Sequence, residues 1–443
     1  MITLQQPVGT FIILVFIGTY LVISSEKVNR AAMSMTGMGV AGFVLWISYS
    51  IDHSTGATFA HLVESIEWGT ILFIVAMMVI VSVAGNSGMF QYIALTLARP
   101  TGGNTRRLFQ VFVAFVFVIS LVFDTTSTML IMGPLTIEVC KALEVDFKPF
   151  LITEAVTANF ASIPSIVGAV PNLVIAETVF NLAGETGFNA GLLFVTLIPL
   201  SAMLMMVTLV VTLRMFKGNL QESEEHLVDQ VFVLAPQKMI RSRNDFYLSL
   251  IAVLILALAF TMGQSIGVEP AMVAIIVAFL LLVMTRERVD NILARINWNT
   301  IFFLIGIFGL VGALGIVGFI DDIGIAVNAI VADNLGIAVG FLVWVPAMLS
   351  AVIDNIPVSV VLAPIAASLA ATAPLFPAVL VFAVNVGGYV LPIGAPANIV
   401  AMALAENEHD RISFAHFAKV ATPLALIHLA IGTGWLLLVS FLM

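Results

Sequence analysis

Charged residues are scarce in this chain, and their scarcity excludes a soluble fold. Only 10% of the 443 residues are charged, whereas a soluble domain carries about 25%. Apolar residues make up 61% of the chain, and the mean hydropathy is +1.13. Several apolar runs reach the length of about 20 residues that crosses a bilayer. The sequence therefore predicts an all-α polytopic membrane protein whose main partner is the lipid bilayer.

Other absences narrow the function. The single cysteine, Cys140, excludes a disulfide within the chain. The chain has no phosphate-binding loop, no HExxH motif and no basic nucleic-acid face. We therefore expect no enzyme activity, no nucleic-acid partner and no cofactor other than a bound Na⁺ or H⁺. The first residues lack a basic leader and a small-residue cleavage site, so we interpret them as a retained first span.

The same polar residues recur in the same order in both halves of the sequence. Each half has a tryptophan followed at an equal interval by an aspartate, Trp68 with Asp124 and Trp298 with Asp354. A serine precedes each aspartate by one helical turn and a proline follows it: Ser120 and Pro134, Ser350 and Pro364. Two asparagines then flank a glycine at equal spacing: Asn159, Gly168 and Asn172; Asn385, Gly394 and Asn398. This order predicts a duplication, with repeat 1 at 1–216 and repeat 2 at 247–443.

The positions of the basic residues predict how the repeats cross the membrane. If residues 107–141 and 336–371 form re-entrant hairpins, all 17 lysines and arginines fall on one side. The positive-inside rule makes that side cytoplasmic. Both termini then lie outside the cell membrane, 217–246 becomes a cytoplasmic linker, and the repeats are inverted. About ten transmembrane helices result, at 8–24, 33–50, 67–88, 150–177, 191–213, 247–264, 269–285, 299–320, 377–404 and 418–441.

Two of these spans are predicted to be broken helices, 150–177 and 377–404. Each has prolines and a glycine at its centre, between Pro164 and Asn172 in one and between Val390 and Asn398 in the other. Proline removes a backbone donor, and glycine permits the unwound geometry. A broken helix exposes free N–H and C=O groups at the ends of its pieces. Irregular backbone at this depth must be buried in protein or line a cavity, so the hairpin tips and breaks predict a binding site.

The two tip aspartates are the candidate coupling residues. An ionised aspartate inside the bilayer costs about 2.5–3.5 kcal/mol on insertion scales, so Asp124 and Asp354 must pair with a cation such as Na⁺ or take up a proton. A structural alternative is that each aspartate caps the second helix of its hairpin. No lysine or arginine is placed at mid-depth. Glu138 and Glu154 are expected in solvated positions near the cytoplasmic mouth, and a proton relay is the alternative role for them.

Several of these stretches resemble the ion transporter superfamily. "SAVIDNIP" (350–357), "NVGGYVLPIG" (385–394) and "SIPSIVGAVPN" (162–172) resemble arsenite efflux permeases of the ArsB type. "DTTSTMLIMGP" (124–134) and "DNIP" (354–357) are similar to the P protein and to sodium/proton antiporters of the NhaD type. Sodium–dicarboxylate symporters are more distant, since they carry Ser-Asn-Thr at both tips. The resemblance implies ion and substrate sites at the tips and breaks: Ser120, Asp124, Thr125, Thr126, Asn159, Gly168 and Asn172; Ser350, Asp354, Asn355, Asn385, Gly394 and Asn398.

We therefore predict a secondary active transporter that works by alternating access and carries a small inorganic ion or solute. The first hypothesis is proton-coupled efflux of a solute of the arsenite or antimonite type. The alternative is Na⁺/H⁺ antiport, in which the same aspartates bind Na⁺ or H⁺. A sodium-coupled symporter for dicarboxylate-type anions is the third. The resemblance also implies a homodimer.

Overall fold

The structure, a computed structural model, describes residues 7–24, 28–51, 59–183, 188–220, 236–262, 270–320, 322–323, 325, 335–370 and 373–442. These residues form helices and no strands, which confirms the predicted fold class. Five described helices are long and apolar enough to cross a bilayer by themselves: Arg30–Ile51, Trp68–Ser87, Ala190–Met215, Trp298–Ile316 and Phe414–Leu442.

The α-helices are numbered here in chain order. The first half of the chain contains α1 (Pro7–Ser24), α2 (Arg30–Ile51), α3 (Phe59–Glu64), α4 (Trp68–Ser87), α5 (Met89–Ala98), α6 (Thr105–Ile119), α7 (Thr125–Ala142), α8 (Lys148–Ala161), α9 (Val170–Ala183) and α10 (Ala190–Met215). The second half contains α11 (Arg243–Met262), α12 (Pro270–Met284), α13 (Val289–Ala294), α14 (Trp298–Ile316), α15 (Leu335–Val352), α16 (Asn355–Ala370), α17 (Phe376–Gly387), α18 (Pro396–Asn407) and α19 (Phe414–Leu442).

The long helices lie within a few residues of the predicted spans, and the short helices α3, α5 and α13 were not predicted. The two breaks begin earlier than expected, because α8 ends at Ala161 and α17 ends at Gly387. They also end earlier, because α9 begins at Val170 and α18 at Pro396, so Asn172 and Asn398 lie in the first turns of these helices. The prolines before them fit there, since a first-turn residue has no intrahelical N–H bond to lose.

The helices of the two predicted hairpins differ in length. Helix α6 has 15 residues and α16 has 16, about 22 and 24 Å of helix, whereas α7 and α15 each have 18, about 27 Å. The hydrocarbon core of a bilayer is about 30 Å thick. The tips lie at 120–124 and 353–354, and the re-entrant course of both hairpins stays a prediction.

The two halves interlock through matching helices. Helix α7 packs against the second piece of the other half's broken helix, α18, and α16 packs against the corresponding piece α9. In the same way α4 packs against α12, and α14 packs against α2. Each predicted hairpin thus packs against the second piece of the broken helix of the opposite half.

Glycines set two features of this packing. Helices α4 and α14 are both followed by a left-handed glycine, Gly88 at φ 84° and Gly318 at φ 75°, a conformation that glycine adopts without a steric penalty. Along α14, a Cβ on Gly306 would lie 2.5 Å from the backbone of Ser34. The absence of a side chain lets α2 approach α14 closely.

The predicted linker 217–246 includes residues 221–235, which lie outside the described residues. Its last part docks on the end of α4. The N–H of Arg241 donates to the carbonyl of Ser87 at 2.9 Å, and the Met239 carbonyl occupies the space where a Cβ of Gly88 would stand.

Candidate functional site

Asp124 lies at the tip between α6 and α7 and caps α7. Its Oδ1 accepts hydrogen bonds from the N–H groups of Thr126 at 3.0 Å and Ser127 at 3.1 Å, and its Oδ2 accepts the Ser127 hydroxyl. A carboxylate is favoured here because it satisfies free N–H groups at the positive end of the helix dipole. In the described part of the chain, no lysine or arginine lies within ion-pair distance of Asp124.

Asp354 occupies the matching tip and has a cationic partner that Asp124 lacks. Its Oδ1 accepts the N–H of Ile356 at 3.1 Å, so it also caps its helix. Its Oδ2 accepts a hydrogen bond from Nη1 of Arg30 at 2.9 Å. The expectation that no arginine reaches the tips is therefore wrong. The sequence placed Arg30 in a loop, whereas Arg30 is the first residue of α2 and α2 begins beside the tip.

Both aspartates line cavities, and the two cavities adjoin. The Asp124 cavity, of about 140 Å³, extends along α7 to Arg295. The Asp354 cavity, of about 290 Å³, contains Arg30. Four residues line both: Asn297, Thr300, Ile356 and Pro396. We call the two cavities together the central chamber.

A second, smaller pocket lies beside each aspartate, and these two pockets correspond. Asp124, Phe73 and Val167 line the first, of about 20 Å³. Asp354, Phe303 and Ile393 line the second, also about 20 Å³. Phe73 and Phe303 follow the two tryptophans by equal intervals, and Val167 and Ile393 precede the two break glycines. The two small pockets are therefore lined by residues at matching places of the two halves.

The central chamber includes the start of α14 and not the matching start of α4. Asn297 is exposed and Thr300 is half-buried at the start of α14, where both line the chamber. At the start of α4, Thr70 is fully buried and Glu67 accepts a hydrogen bond from Asn181 at 2.9 Å. The chamber thus reaches solvent on the side where α14 begins.

Each break glycine contacts the serine of its hairpin tip. A Cβ on Gly168 would stand 2.7 Å from the Ser120 carbonyl oxygen, and one on Gly394 would stand 2.7 Å from the Ser350 carbonyl oxygen. Real Cβ contacts are not this short, so only glycine allows the tip to touch the break. The serine hydroxyls differ, because Ser350 donates to the Val384 carbonyl at 2.6 Å, while Ser120 lies 3.4 Å from the Thr128 hydroxyl.

The four predicted asparagines form two bonds that join the halves. Asn159 Nδ2 donates to Asn398 Oδ1 at 3.2 Å, and Asn385 Nδ2 donates to Asn172 Oδ1 at 2.6 Å. All four side chains are fully buried. Because each half contributes one donor and one acceptor, the two broken helices are fixed to each other by reciprocal bonds.

The same asparagines satisfy the carbonyls that the breaks set free. Asn172 Nδ2 donates to Ser162 and Ser165 at 2.9 and 2.8 Å, and Asn398 Nδ2 donates to Gly388 and Leu391 at 2.9 and 3.4 Å. Among the described residues of the tips and breaks, three buried asparagine oxygens have no partner: Asn159 Oδ1, Asn385 Oδ1 and Asn355 Oδ1. Oxygen atoms of this kind suit a small cation or a water molecule.

The remaining predicted residues are partly brought into the site. Thr126 lines the Asp124 cavity, whereas Thr125 is buried and lines neither cavity of the central chamber. Asn355 is buried against Gly388. Within the described residues no three His, Cys, Asp or Glu side chains group as they would around a transition metal, so Na⁺ or H⁺ at the aspartates remains the expectation for a bound ion.

Sequence reasoning missed the polar residues at the chamber's open end. Besides Arg30 these are Arg295, Asn29, Asn297, Asn299 and Thr300. Arg295 is held by a two-bond ion pair with Glu287, at 2.6 and 3.2 Å. The available signal was the stretch "INWNT" (296–300), which places two asparagines and a threonine around Trp298 at the start of a span.

The sequence also has clear relatives. The profile of the family described as "CitMHS: Citrate transporter" matches residues 20–381. The 46 kDa membrane protein of Mycobacterium leprae is 26% identical over 426 residues, covering 95% of this chain and 96% of that protein. A Mycobacterium tuberculosis protein named as an uncharacterized transporter is 29% identical over 441 residues, 97% of this chain and 98% of its own length. The human P protein is 24% identical over 95% of this chain and 58% of its own length.

Two solved structures have the same fold. The Alcanivorax borkumensis YdaH transporter matches with a TM-score of 0.59 at 14% identity, over 86% of this chain and 88% of that one. Neisseria gonorrhoeae MtrF, described among antimetabolite efflux pumps, matches with a TM-score of 0.56 at 12% identity, over 89% and 84%. These matches and the P protein confirm the resemblance to the ion transporter superfamily.

Proposed function

This chain belongs to the citrate transporter family of membrane transporters, and we propose that it carries a small polar solute by alternating access, coupled to ions at its two tip aspartates. One observation carries this proposal: Asp124 and Asp354 line adjoining cavities whose shared lining includes the exposed Asn297 at the start of α14. Adjoining cavities that connect the carboxylates of both hairpin tips with one helix end fit one state of a carrier.

We place the open side of the chamber in the cytoplasm. The start of α14 lies beside Arg286, Arg288 and Arg295, and the positive-inside rule assigns such a cluster to the cytoplasm. The covered start of α4 then faces outward, and the structure corresponds to an inward-open state. With this orientation we also propose that the two repeats are inverted, that both termini lie outside the cell membrane, and that the linker 217–246 is cytoplasmic. The proposal also includes the homodimer expected from the resemblance.

The coupling ion is a proton or Na⁺ at the aspartates. Asp124 is the available site in this state, because its carboxylate accepts only N–H and O–H groups and has no cationic partner in the described chain. Asp354 is already neutralised by Arg30. The two tips therefore differ, and an ion reaching Asp354 must compete with the guanidinium group.

The first candidate cargo is a small neutral hydroxide of the arsenite or antimonite type, extruded in exchange for protons. Both chamber arginines are bound by carboxylates, Arg30 by Asp354 and Arg295 by Glu287. The open end of the chamber otherwise offers amides and a hydroxyl, at Asn297 and Thr300 among others. Such groups donate and accept hydrogen bonds without fixing a charge, as a neutral polyhydroxyl solute requires.

A second candidate is favoured by the Arg30–Asp354 pair itself. Protonation of Asp354 would remove the negative charge that holds Arg30, and the guanidinium would then be available for an anion. Arginine binds carboxylates with paired, charge-assisted bonds. A proton and a carboxylate-bearing anion would therefore bind together, which agrees with the description of the family. Na⁺/H⁺ antiport at the same aspartates is the further alternative.

Reconstituted liposomes separate these candidates. The protein is inserted with a pH dye inside, a proton gradient is imposed, and Na⁺, arsenite or citrate is added in turn. Proton flux evoked by arsenite supports the first candidate, flux evoked by citrate supports the second, and flux evoked by Na⁺ supports antiport. Asp124→Asn must abolish the flux in each case, and flux that persists in Asp124→Asn refutes the role of the tip carboxylate.

A further inference from the structure

A third carboxyl group lies inside the described fold, away from the hairpin tips. Glu154, in the middle of α8, is fully buried, which corrects the expectation that it is solvated. Its Oε1 accepts a hydrogen bond from the Thr136 hydroxyl of α7 at 2.7 Å. Its Oε2 is buried without any partner. The carboxyl therefore bridges the first hairpin and the first broken helix with half of its bonding capacity unused.

On the described helices packed against α8, no buried lysine or arginine balances a negative charge on Glu154. Helix α8 packs against α6, α7, α10, α17, α18 and α19. The titratable side chains of α8 and these helices are Lys148; Arg106 and Arg107; Glu138, Cys140 and Lys141; Arg214; Glu406; His416, Lys419 and His428. Of these only Cys140 and His428 are buried. Lys148 pairs with Asp410 and Lys141 with Glu408, at the helix ends. An ionised carboxylate in such surroundings costs several kcal/mol, so Glu154 holds a proton in this state.

The matching place in the second half has no polar group at all. Counted from the matching asparagines Asn159 and Asn385, Glu154 corresponds to Leu380. Counted from the two tip aspartates, Thr136 corresponds to Ala366. Leu380 and Ala366 are both buried. The second half therefore folds with two apolar residues at the places of Glu154 and Thr136. Packing alone does not require a carboxyl group at this place in the first half.

We propose that Glu154 is a proton-binding site of the transport cycle, separate from the two tip aspartates. The group exchanges one proton: the O–H bond breaks when water reaches the space between α7 and α8, the proton passes to that water, and a carboxylate remains. Reburial of the carboxylate reverses the step. Glu154 lies about 9 Å along α8 from Lys148 and about 7.5 Å from Asn159, between the helix end and the asparagine bonds. The role in transport rests on the proposed function, whereas the proton site itself does not.

Infrared difference spectroscopy tests the proton site independently of any substrate. Purified wild-type protein in lipid is compared between acidic and alkaline pH, and the carbonyl band of a protonated carboxyl is followed. We expect a titrating band that is lost in Glu154→Gln and retained in Glu138→Gln, whose residue is exposed on the neighbouring helix. A wild-type band assigned to Glu154 that does not change with pH, or the same titrating band in Glu154→Gln, would overturn the proposal.

The pH profile of proton flux in liposomes tests the role in transport. The double variant Thr136→Ala with Glu154→Leu installs the pair found in the second half, and we expect it to fold with a melting temperature close to wild type. It should lose one limb of the pH profile, as should Glu154→Gln. If both variants keep the wild-type profile, Glu154 is a structural acid and the inference fails while the proposed function stands. If wild type shows no solute-driven flux but the infrared band titrates, the proposed function fails and the proton site stands.

Discussion

The Arg30–Asp354 ion pair gives the sharpest quantitative prediction. Two unit charges 2.9 Å apart attract by about 6 kcal/mol at an effective dielectric constant of about 20, and by about 1.4 kcal/mol in bulk water. The side chains are 30% and 11% exposed, so the true value lies between these limits. Arg30→Gln removes the attraction and leaves the Asp354 carboxylate without its cation. We expect the affinity of Asp354 for H⁺ or Na⁺ to rise by at least about tenfold, because 1.4 kcal/mol is a factor of ten.

The direction of the expected change in affinity follows from the competition between Arg30 and the incoming cation for the Asp354 carboxylate. A cation arriving at Asp354 must displace a guanidinium group in the wild-type protein and meets a free carboxylate in the variant. The half-saturating Na⁺ concentration for thermal stabilisation of the purified protein should therefore fall. If the coupling ion is H⁺, the variant holds its proton to higher pH, and the pH of half-maximal flux moves up by at least about one unit.

Arg295→Gln is the matched control. It removes the same charge from the same chamber, but Arg295 pairs with Glu287 and not with a tip aspartate. A long-range change in chamber potential would appear in both variants and would be weakened by salt. An equal shift in Arg30→Gln and Arg295→Gln, or no shift in either, would refute the direct-competition reasoning.

Three further predictions follow from contacts in the site. Gly168→Ala should abolish transport in liposomes, since its Cβ would stand 2.7 Å from a hairpin-tip carbonyl oxygen. The control Gly18→Ala, whose Cβ meets nothing within 4 Å, should leave uptake unchanged. An active Gly168→Ala protein would contradict the close contact. Asn398→Ala should lower the free energy of unfolding by about 1–3 kcal/mol because its buried partners lose their bonds, measured by thermal denaturation, and an unchanged melting temperature would count against the reciprocal bonds. In a protein without its native cysteine, Asn297→Cys should react with a membrane-impermeant maleimide applied from the cytoplasmic side, because Asn297 is exposed, while Thr70→Cys, at a buried position, stays unlabelled from both sides. Labelling of Asn297→Cys from the outer side alone would reverse the assigned orientation.

Much of the fold could be predicted because its signals are local. A bilayer forces every backbone group to bond within its own helix, so long apolar runs mark helices with little ambiguity, and α10 at Ala190–Met215 falls almost where the sequence placed it. Proline and glycine marked both breaks for the same reason. The errors are the three short helices α3, α5 and α13, which were not predicted, and small shifts in boundary, as at Asn172, where a proline begins a helix instead of ending a break.

Residues of the candidate site could be predicted where the same residue types recur in both halves of the sequence. The recurrence of Asp124 with Asp354, and of Asn159 with Asn385, singled out polar residues that composition alone does not distinguish from others. The asymmetric residues gave no such signal. Arg30 and Glu154 have no counterpart of the same type in the other half, and each received its most ordinary interpretation from sequence, a loop cation and a solvated acid.

By itself, then, the sequence determined that this chain is an all-helical membrane protein with two matching sets of tips and breaks, because hydropathy, proline, glycine and spacing act over short distances along the chain. Only the tertiary structure decided which partners those residues have. The ion pair of Arg30 with Asp354 joins residues on α2 and at the tip before α16, and the bonds between the asparagines join the two broken helices. The burial of Glu154 and the adjoining position of the two tip cavities also depend on which helices pack together. Such contacts between distant segments depend on the packing of the whole bundle, and no local pattern in the sequence encodes them.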